Sequence, residues 1–263
     1  MSLDTARIEE AAAFILRARA SGEPYDAIPE DCRPATVFDG MKISERIADQ
    51  LGRRTVAWKA GFSAPKQMAD LGTSSPPWGR LFEGMLYDSP ASLPGRAYRQ
   101  PLMEAEVAFR LGSALPSRAK GYSTEEVLDA VASAHIVIEG ADVRYRDGFA
   151  AGLPSIVADS FAVQALVIGP EIPDWRSRDL DTLPVELEID GEVKGKAFEG
   201  DARCRPVEVL VAMANDFSTR GLGFAAGQYV TTGAAAAPTL ATPGQTVVAR
   251  FPGIGEVTVQ LAV

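Results

Sequence analysis

Apolar residues recur along the chain at two spacings, which divide it into a helical beginning and an extended remainder. Over 4–20, Ile8, Ala12, Phe14, Ile15 and Leu16 supply the apolar positions of an amphipathic helix. Asp4 can cap its start, and Ser21-Gly22 ends it. Residues 23–38 carry Pro24, Pro29 and Pro34 and read as irregular. Ile43, Ile47 and Leu51 then fall at four-residue steps in a second helix over about 40–51, stopped by Gly52. From 53 to 62 the period shortens to that of a strand. Val56 and Trp58 share one face, and Lys59 lies on the other between Ala57 and Gly61. Residues 63–80 read as a loop with a short helix, and 74–79 as a turn or lid.

Beyond this point strands dominate, over 81–87, 102–111, 134–142, 161–168, 183–190, 192–198, 228–233, 245–250 and 256–262. Asp190-Gly191 between two of them signals a type I′ hairpin. Helices interrupt over about 123–133 and 206–219, the second with Pro206 in its first turn. Runs of strands without regular βαβ alternation predict an α+β fold with a large mixed or antiparallel sheet. Gly221, Gly223 and Gly227 follow a helix and precede a strand, the reverse of a dinucleotide-binding order.

The clearest alternation is at 102–112, where Met103, Ala105, Val107, Phe109 and Leu111 form one apolar face. The other face carries Glu104 and Glu106, about 7 Å apart along a strand. Like charges at that distance need open water or a counter-charge. Two readings follow: a solvated strand face, or two hard oxygen ligands of a divalent cation. Glu139 ends a second apolar run that begins at His135, and it is a candidate third ligand, because a carboxylate in such surroundings is expensive unless neutralised. Lys59 has small neighbours that leave room for something to approach its ammonium; the alternative is a lysine snorkelling to the surface.

Composition narrows the class. The chain has 263 residues, 46% of them hydrophobic and 23% charged, which suits a soluble globular protein with a sizeable core. A formal net charge of -9 argues against nucleic acid as a partner. Two separated cysteines, Cys32 and Cys204, suggest free thiols in a reducing cytoplasm. The apolar stretch 11–16 is preceded by Glu9 and Glu10 and followed by Arg17 and Arg19, the wrong order and length for a signal peptide or membrane span.

In order along the chain stand Ile28-Pro29-Glu30-Asp31-Cys32-Arg33-Pro34, Trp58-Lys59-Ala60-Gly61 with Gln67, Leu71-Gly72-Thr73, and Gly79-Arg80-Leu81. The 103–112 strand, Ile138-Glu139 with Asp142 and Arg144, Ala158-Asp159, Ala212-Met213-Ala214-Asn215, Gly221-Leu222-Gly223 and the run from Ala226-Gly227 to Thr231-Thr232-Gly233 follow. In this order the sequence resembles the 2-keto-4-pentenoate hydratase and 4-oxalocrotonate decarboxylase family of the fumarylacetoacetate hydrolase superfamily. The resemblance implies a mixed β-sheet or β-roll core with a smaller helical N-terminal region, divided as 1–80 and 81–263. It places Glu104, Glu106 and Glu139 at the metal-ligand positions for Mg²⁺ or Mn²⁺, and Lys59 at the position of the active-site lysine. Gln67, Arg144 and Ser160 become candidates for contacting substrate oxygens. The implied activity is metal-dependent hydration of a 2-hydroxy-2,4-dienoate, a 2-oxo acid tautomer met in aromatic-compound catabolism, by a cytoplasmic homo-oligomer.

This chain departs from the family pattern around the pocket. Ser74-Ser75-Pro76-Pro77 lacks the family's Asp, Ser160-Phe161-Ala162-Val163 replaces an Asn followed by small hydroxyl residues, and Ala234 stands where a serine is common. A less polar pocket points to a bulkier or more apolar substrate. Decarboxylation shares the same enolate chemistry and remains an alternative. Acylpyruvate hydrolysis is a further one, disfavoured because the one histidine, His135, lies after Glu104 and within an apolar run. A relative that binds a metabolite without turning it over is a third.

Overall fold

The structure is a computed structural model that describes residues 3–95 and 98–263. Helix α1 (Thr5–Ser21) starts where expected, with Asp4 accepting the Arg7 amide at 2.9 Å. Helix α2 (Val37–Leu51) begins three residues before the predicted 40, because Thr36 caps it through the Asp39 amide. The two helices pack into a core of their own, in which Ala11, Ile15, Ile43 and Ile47 meet Tyr25 and Tyr145.

Strands β1 (Thr55–Ala60) and β2 (Trp78–Phe82) flank helix α3 (Pro65–Leu71) and pair antiparallel. The single strand expected over 81–87 is two pieces, since Gly84 (φ 86°) turns the chain between β2 and β3 (Leu86–Asp88). Strand β4 (Ala91–Leu93) was not anticipated, being short and ending near Pro94. Strands β5 (Leu102–Leu111) and β6 (Val131–Ala141) form the longest ladder. Helix α4 is correspondingly shorter than 123–133: it spans Thr124–Asp129, because Val131 already pairs with Leu111. Here tertiary pairing overrode a helical pattern.

The remaining elements are α5 (Leu153–Ala158), β7 (Val163–Glu171), β8 (Glu186–Ile189), β9 (Glu192–Lys196), α6 (Pro206–Thr219), β10 (Tyr229–Ala234), β11 (Thr239–Leu240), β12 (Thr246–Phe251) and β13 (Gly255–Leu261). Asp190 and Gly191, both at positive φ, close the β8–β9 hairpin as predicted. The large sheet runs β2-β1-β10-β5-β6-β7-β3, with β11 added beside β5, and it is mixed because β1–β10 and β3–β7 pair in parallel. A second sheet, β4-β13-β12-β8-β9, packs against it, and Ile136 and Val167 share one core with Val257 and Val259.

Strand β5 lies in the interior of the large sheet. Its odd-numbered residues from Met103 to Leu111 are buried in the main core, as the alternation requires. The opposite face is covered too, by a smaller cluster containing Ala57, Leu81, Ala108, Val137 and Leu166. Glu106 therefore has no contact with water, which removes the solvated-face reading for it.

Behind the sheet, Asp159 ties the helical region to the strands. It accepts Arg19 Nε at 2.6 Å and Arg144 Nη1 at 2.8 Å, and the Tyr25 hydroxyl also donates to it. Burial alone would raise its pKa, but the guanidiniums of Arg144 and Arg19 hold it below the usual carboxylate range. A depressed carboxylate contributes stability that is present above its unfolded value, about 3.9, and lost as pH falls through the folded value. Asp159→Asn is thus expected to lower Tm at pH 7, with the gap to the parent closing below about pH 4. Scanning calorimetry across pH 3–7, run in about 0.1 M salt, measures that gap; a constant gap would show that ionisation of Asp159 contributes nothing.

Candidate metal centre and pocket

Cross-strand register builds the centre. Glu104 on β5 pairs directly with Glu139 on β6, and Glu106 pairs with Val137 two positions along. Residues opposite one another on antiparallel strands have Cβ atoms about 5 Å apart, and like charges there repel. The three carboxylates nevertheless converge, each offering an oxygen within 4.8 Å of the others. Glu106 and Glu139 are fully buried and Glu104 half-buried.

Only part of this charge is answered by the protein. Lys59, on β1, is itself buried and forms an ion pair with Glu139 through Nζ. Gly233 N donates to Glu106 Oε2 at 2.8 Å. Among the described residues, Glu106 Oε1 and Glu139 Oε2 have no hydrogen-bond partner. Burial pushes Glu139 up to about 7 against the pull of Lys59, and burial with two neighbouring carboxylates pushes Glu106 well above its ordinary value. Burial would lower the Lys59 pKa, but Glu139, Glu104 and Glu106 together raise it, so its ammonium is the stable form here. Two buried, unpartnered carboxylate oxygens beside a third carboxylate are the donor set of a hard divalent cation, and the residues fit such an ion.

Gly233 has a specific reason to be glycine. It sits at φ 99° in the irregularity between Thr231 and Ala234 that turns its amide toward Glu106, and a Cβ there would lie 1.9 Å from Ser63 Oγ. Ser63 in turn donates to the Thr232 carbonyl at 2.7 Å, and Thr232 Oγ1 donates to the Val107 carbonyl at 2.8 Å. The Thr-Thr-Gly run was legible as a motif, but its amide contact depends on the fold. Gly233→Ala is expected to weaken divalent-ion affinity by about 10- to 100-fold, the usual effect of losing a group that supports a metal ligand. Titration of Mn²⁺ followed by electron paramagnetic resonance reads this directly; parental affinity would remove the amide from the centre.

Lys59 and Glu104 open onto a pocket of about 210 Å³. This is smaller than the ~300–1,000 Å³ of drug-sized ligand sites, so the far end of a longer acid would lie against the exposed Phe62 and Phe149 in its lining. Gln67 also lines it, with Oε1 taken by the Ala64 amide at 3.2 Å. Arg144 and Ser160 lie elsewhere: Arg144 is bound to Asp159, Ser160 Oγ accepts Arg19 Nη2 at 3.2 Å, and both line a separate cleft beside α1. The turn through Ser160, Phe161 and Ala162 (φ 52°, 54° and 61°) sends the Phe161 ring, not the serine, toward Lys59. His135 is bonded to Ser133 Oγ at 2.9 Å and to the Gly169 carbonyl at 3.1 Å, apart from the pocket. Cys204 lines the pocket and donates to the Gly233 carbonyl at 3.1 Å; burial pushes its thiol up to about 12, which makes it a poor nucleophile. Both cysteines are free and buried.

The fumarylacetoacetate hydrolase C-terminal family matches residues 61–262, and the chain belongs to that family. Within it, similarity runs to hydratases and decarboxylases. A 2-keto-4-pentenoate hydratase of Burkholderia vietnamiensis is 28% identical over 97% of both chains, and a 4-oxalocrotonate decarboxylase of a Pseudomonas species is 28% identical over 86% of this chain and 85% of its own. The same fold is seen in 4-oxalocrotonate decarboxylase from Pseudomonas putida G7, solved with magnesium and adipate, at a TM-score of 0.85, 23% identity and 99% coverage of both chains. Fumarylpyruvate hydrolase from Pseudomonas aeruginosa, solved with Mn²⁺ and pyruvate, gives a TM-score of 0.55 at 16% identity over 80% of this chain and 90% of its own. Among the described residues, no helix is long and apolar enough to cross a membrane.

Proposed function

We propose that the protein is a divalent-metal-dependent hydratase of 2-hydroxy-2,4-dienoates. The observation that carries this reading is the convergence of Glu104, Glu106 and Glu139, the first of which lines a pocket together with Lys59. The relatives named as hydratases and decarboxylases, and the magnesium and Mn²⁺ in two proteins of the same fold, support it. Glu104, Glu106 and Glu139 would hold the cation, Mg²⁺ or Mn²⁺. Bound there, it would supply Lewis acidity for a developing enolate.

The chain's own residues supply the rest. Lys59 Nζ carries a proton beside the acidic cluster and can deliver it to the far end of the dienol, C5, while the 2-hydroxyl gives up its own proton to solvent, which leaves the conjugated 2-oxo-3-enoate. The hydroxyl of a water molecule then bonds to C4 as a proton is taken up at C3, leaving a 4-hydroxy-2-oxo acid. The amide nitrogen of Gln67, whose oxygen is occupied by Ala64, is available to orient a substrate oxygen. No covalent nucleophile is required, consistent with the inert thiol of Cys204.

Hydration is favoured over decarboxylation by charge. A decarboxylase of the 4-oxalocrotonate type must accommodate a second carboxylate, the one that leaves. Among the described residues, Lys59 is the single Lys or Arg lining the pocket, and it already faces Glu139. Incubation of 2-hydroxypenta-2,4-dienoate with protein and Mg²⁺ is expected to remove the dienol absorbance without CO₂ release, and EDTA to stop it. Release of CO₂ from the corresponding dicarboxylate at a higher rate would make the enzyme a decarboxylase, and release of pyruvate from an acylpyruvate would make it a hydrolase.

A further inference from the structure

Two of the phenylalanines lining the pocket stand on backbone that aromatic residues seldom adopt. Phe62 has φ 52° and Phe161 φ 54°, the left-handed region that bulky side chains enter only when the surroundings over-determine it. Their rings stack, with centroids 5.9 Å apart and planes 22° from parallel. The Phe161 ring also lies under Lys59 Nζ, 4.6 Å from its centroid, so the stack begins at the proposed reacting end and leads outward. Phe62 is 40% exposed and Phe149 60%, and Phe198 completes an aromatic lining at the mouth. A solvent-facing phenylalanine held in a strained conformation contributes little to the core. Strain kept at such a position is explained when the ring has something to bind.

We infer that this aromatic wall is a specificity site for the distal end of the substrate, and that it takes a planar, uncharged aryl group. The inference rests on the hydratase reading and names its substrate class. A planar group extends the Phe62–Phe161 stack, which favours an aromatic partner beyond the effect of its area alone. Among the described residues lining the pocket the one cation is Lys59, which lies at the inner end of the stack and is paired with Glu139, so a charged group at the outer end meets ring faces and edges.

Calorimetric titration of the Mg²⁺-loaded full chain with three unreactive acids tests this: 2-oxo-5-phenylpentanoate, 2-oxohexanoate and 2-oxohexanedioate. The phenyl acid is expected to bind about 10-fold tighter than 2-oxohexanoate. It should exceed the dicarboxylate by at least about 30-fold. In both Phe62→Ala and Phe62→Leu the preference for the phenyl acid over 2-oxohexanoate should fall to within about threefold, as the stacking contribution is lost. Equal binding of the dicarboxylate and the phenyl acid, or an unchanged preference in both variants, overturns the inference. The expected order of affinities with no hydration of any dienoate would leave the specificity site standing and remove the proposed reaction; no metal-dependent binding of any of the three acids would overturn both.

Discussion

Replacing Lys59 by methionine is expected to damage stability and turnover by separate routes. The ammonium is buried and paired with Glu139, so its removal leaves a carboxylate in apolar surroundings with no partner on that side. Breaking one half of a buried ion pair costs about 3–5 kcal/mol. The double variant Lys59→Met/Glu139→Gln should recover most of that loss, since no unpaired charge remains. Mg²⁺ should also narrow the deficit of the single variant, by giving Glu139 another cation. Turnover behaves differently: removal of a positioned proton donor lowers rate by about 10²–10⁴-fold, and the double variant should not recover it. Urea unfolding with and without Mg²⁺, together with the dienol absorbance assay, separates the two effects. Parental turnover in Lys59→Met would take the lysine out of the chemistry.

Glu106→Gln is expected to abolish measurable divalent-ion binding while making the metal-free protein more stable. The substitution preserves volume and removes one of three crowded carboxylates, two of them fully buried. Buried like charges oppose folding unless a cation joins them, so the amide relieves repulsion in the absence of metal. A bound ion stabilises the parent by RT ln(1 + [L]/Kd), about 2.7 kcal/mol at a hundredfold excess over Kd. For a chain of this size that corresponds to a rise in Tm on the order of 5–10 °C. Differential scanning fluorimetry should therefore show a higher Tm for Glu106→Gln than for the parent in EDTA, and the reverse order in saturating Mg²⁺. A parental Tm response to Mg²⁺ in the variant would exclude Glu106 as a ligand.

Much of the scaffold is legible in the sequence. The alternation over 102–111 matched β5 from end to end, Pro206 and the apolar pattern marked the limits of α6, and Asp190-Gly191 closed its hairpin. Each of these rests on local preference and burial agreeing. The failures fell where they disagree. Residues 131–133 continued a helical pattern yet joined β6, because ladder pairing with β5 outweighed a short helix. Positive φ at Phe62, Phe161 and Ala162 carries no periodic signal and was invisible. Arg144 and Ser160 lie close in sequence to Glu139 and Phe161 but face a different cleft, since the left-handed turn at 160–162 redirects the chain there.

By itself the sequence determined which residue types alternate, where helices start and stop, and that two carboxylates share a strand face with a third on another apolar strand. Those are properties of neighbouring residues, set by the 3.6- and two-residue periods. Tertiary structure alone decided that Glu104 lies opposite Glu139, that both faces of the sheet are covered, that Lys59 reaches the acidic cluster from β1, that a glycine amide meets Glu106, and that a wall of phenylalanines lines the pocket. Register between distant strands and the burial that strengthens every charge in the centre are long-range outcomes, and no local pattern encodes them.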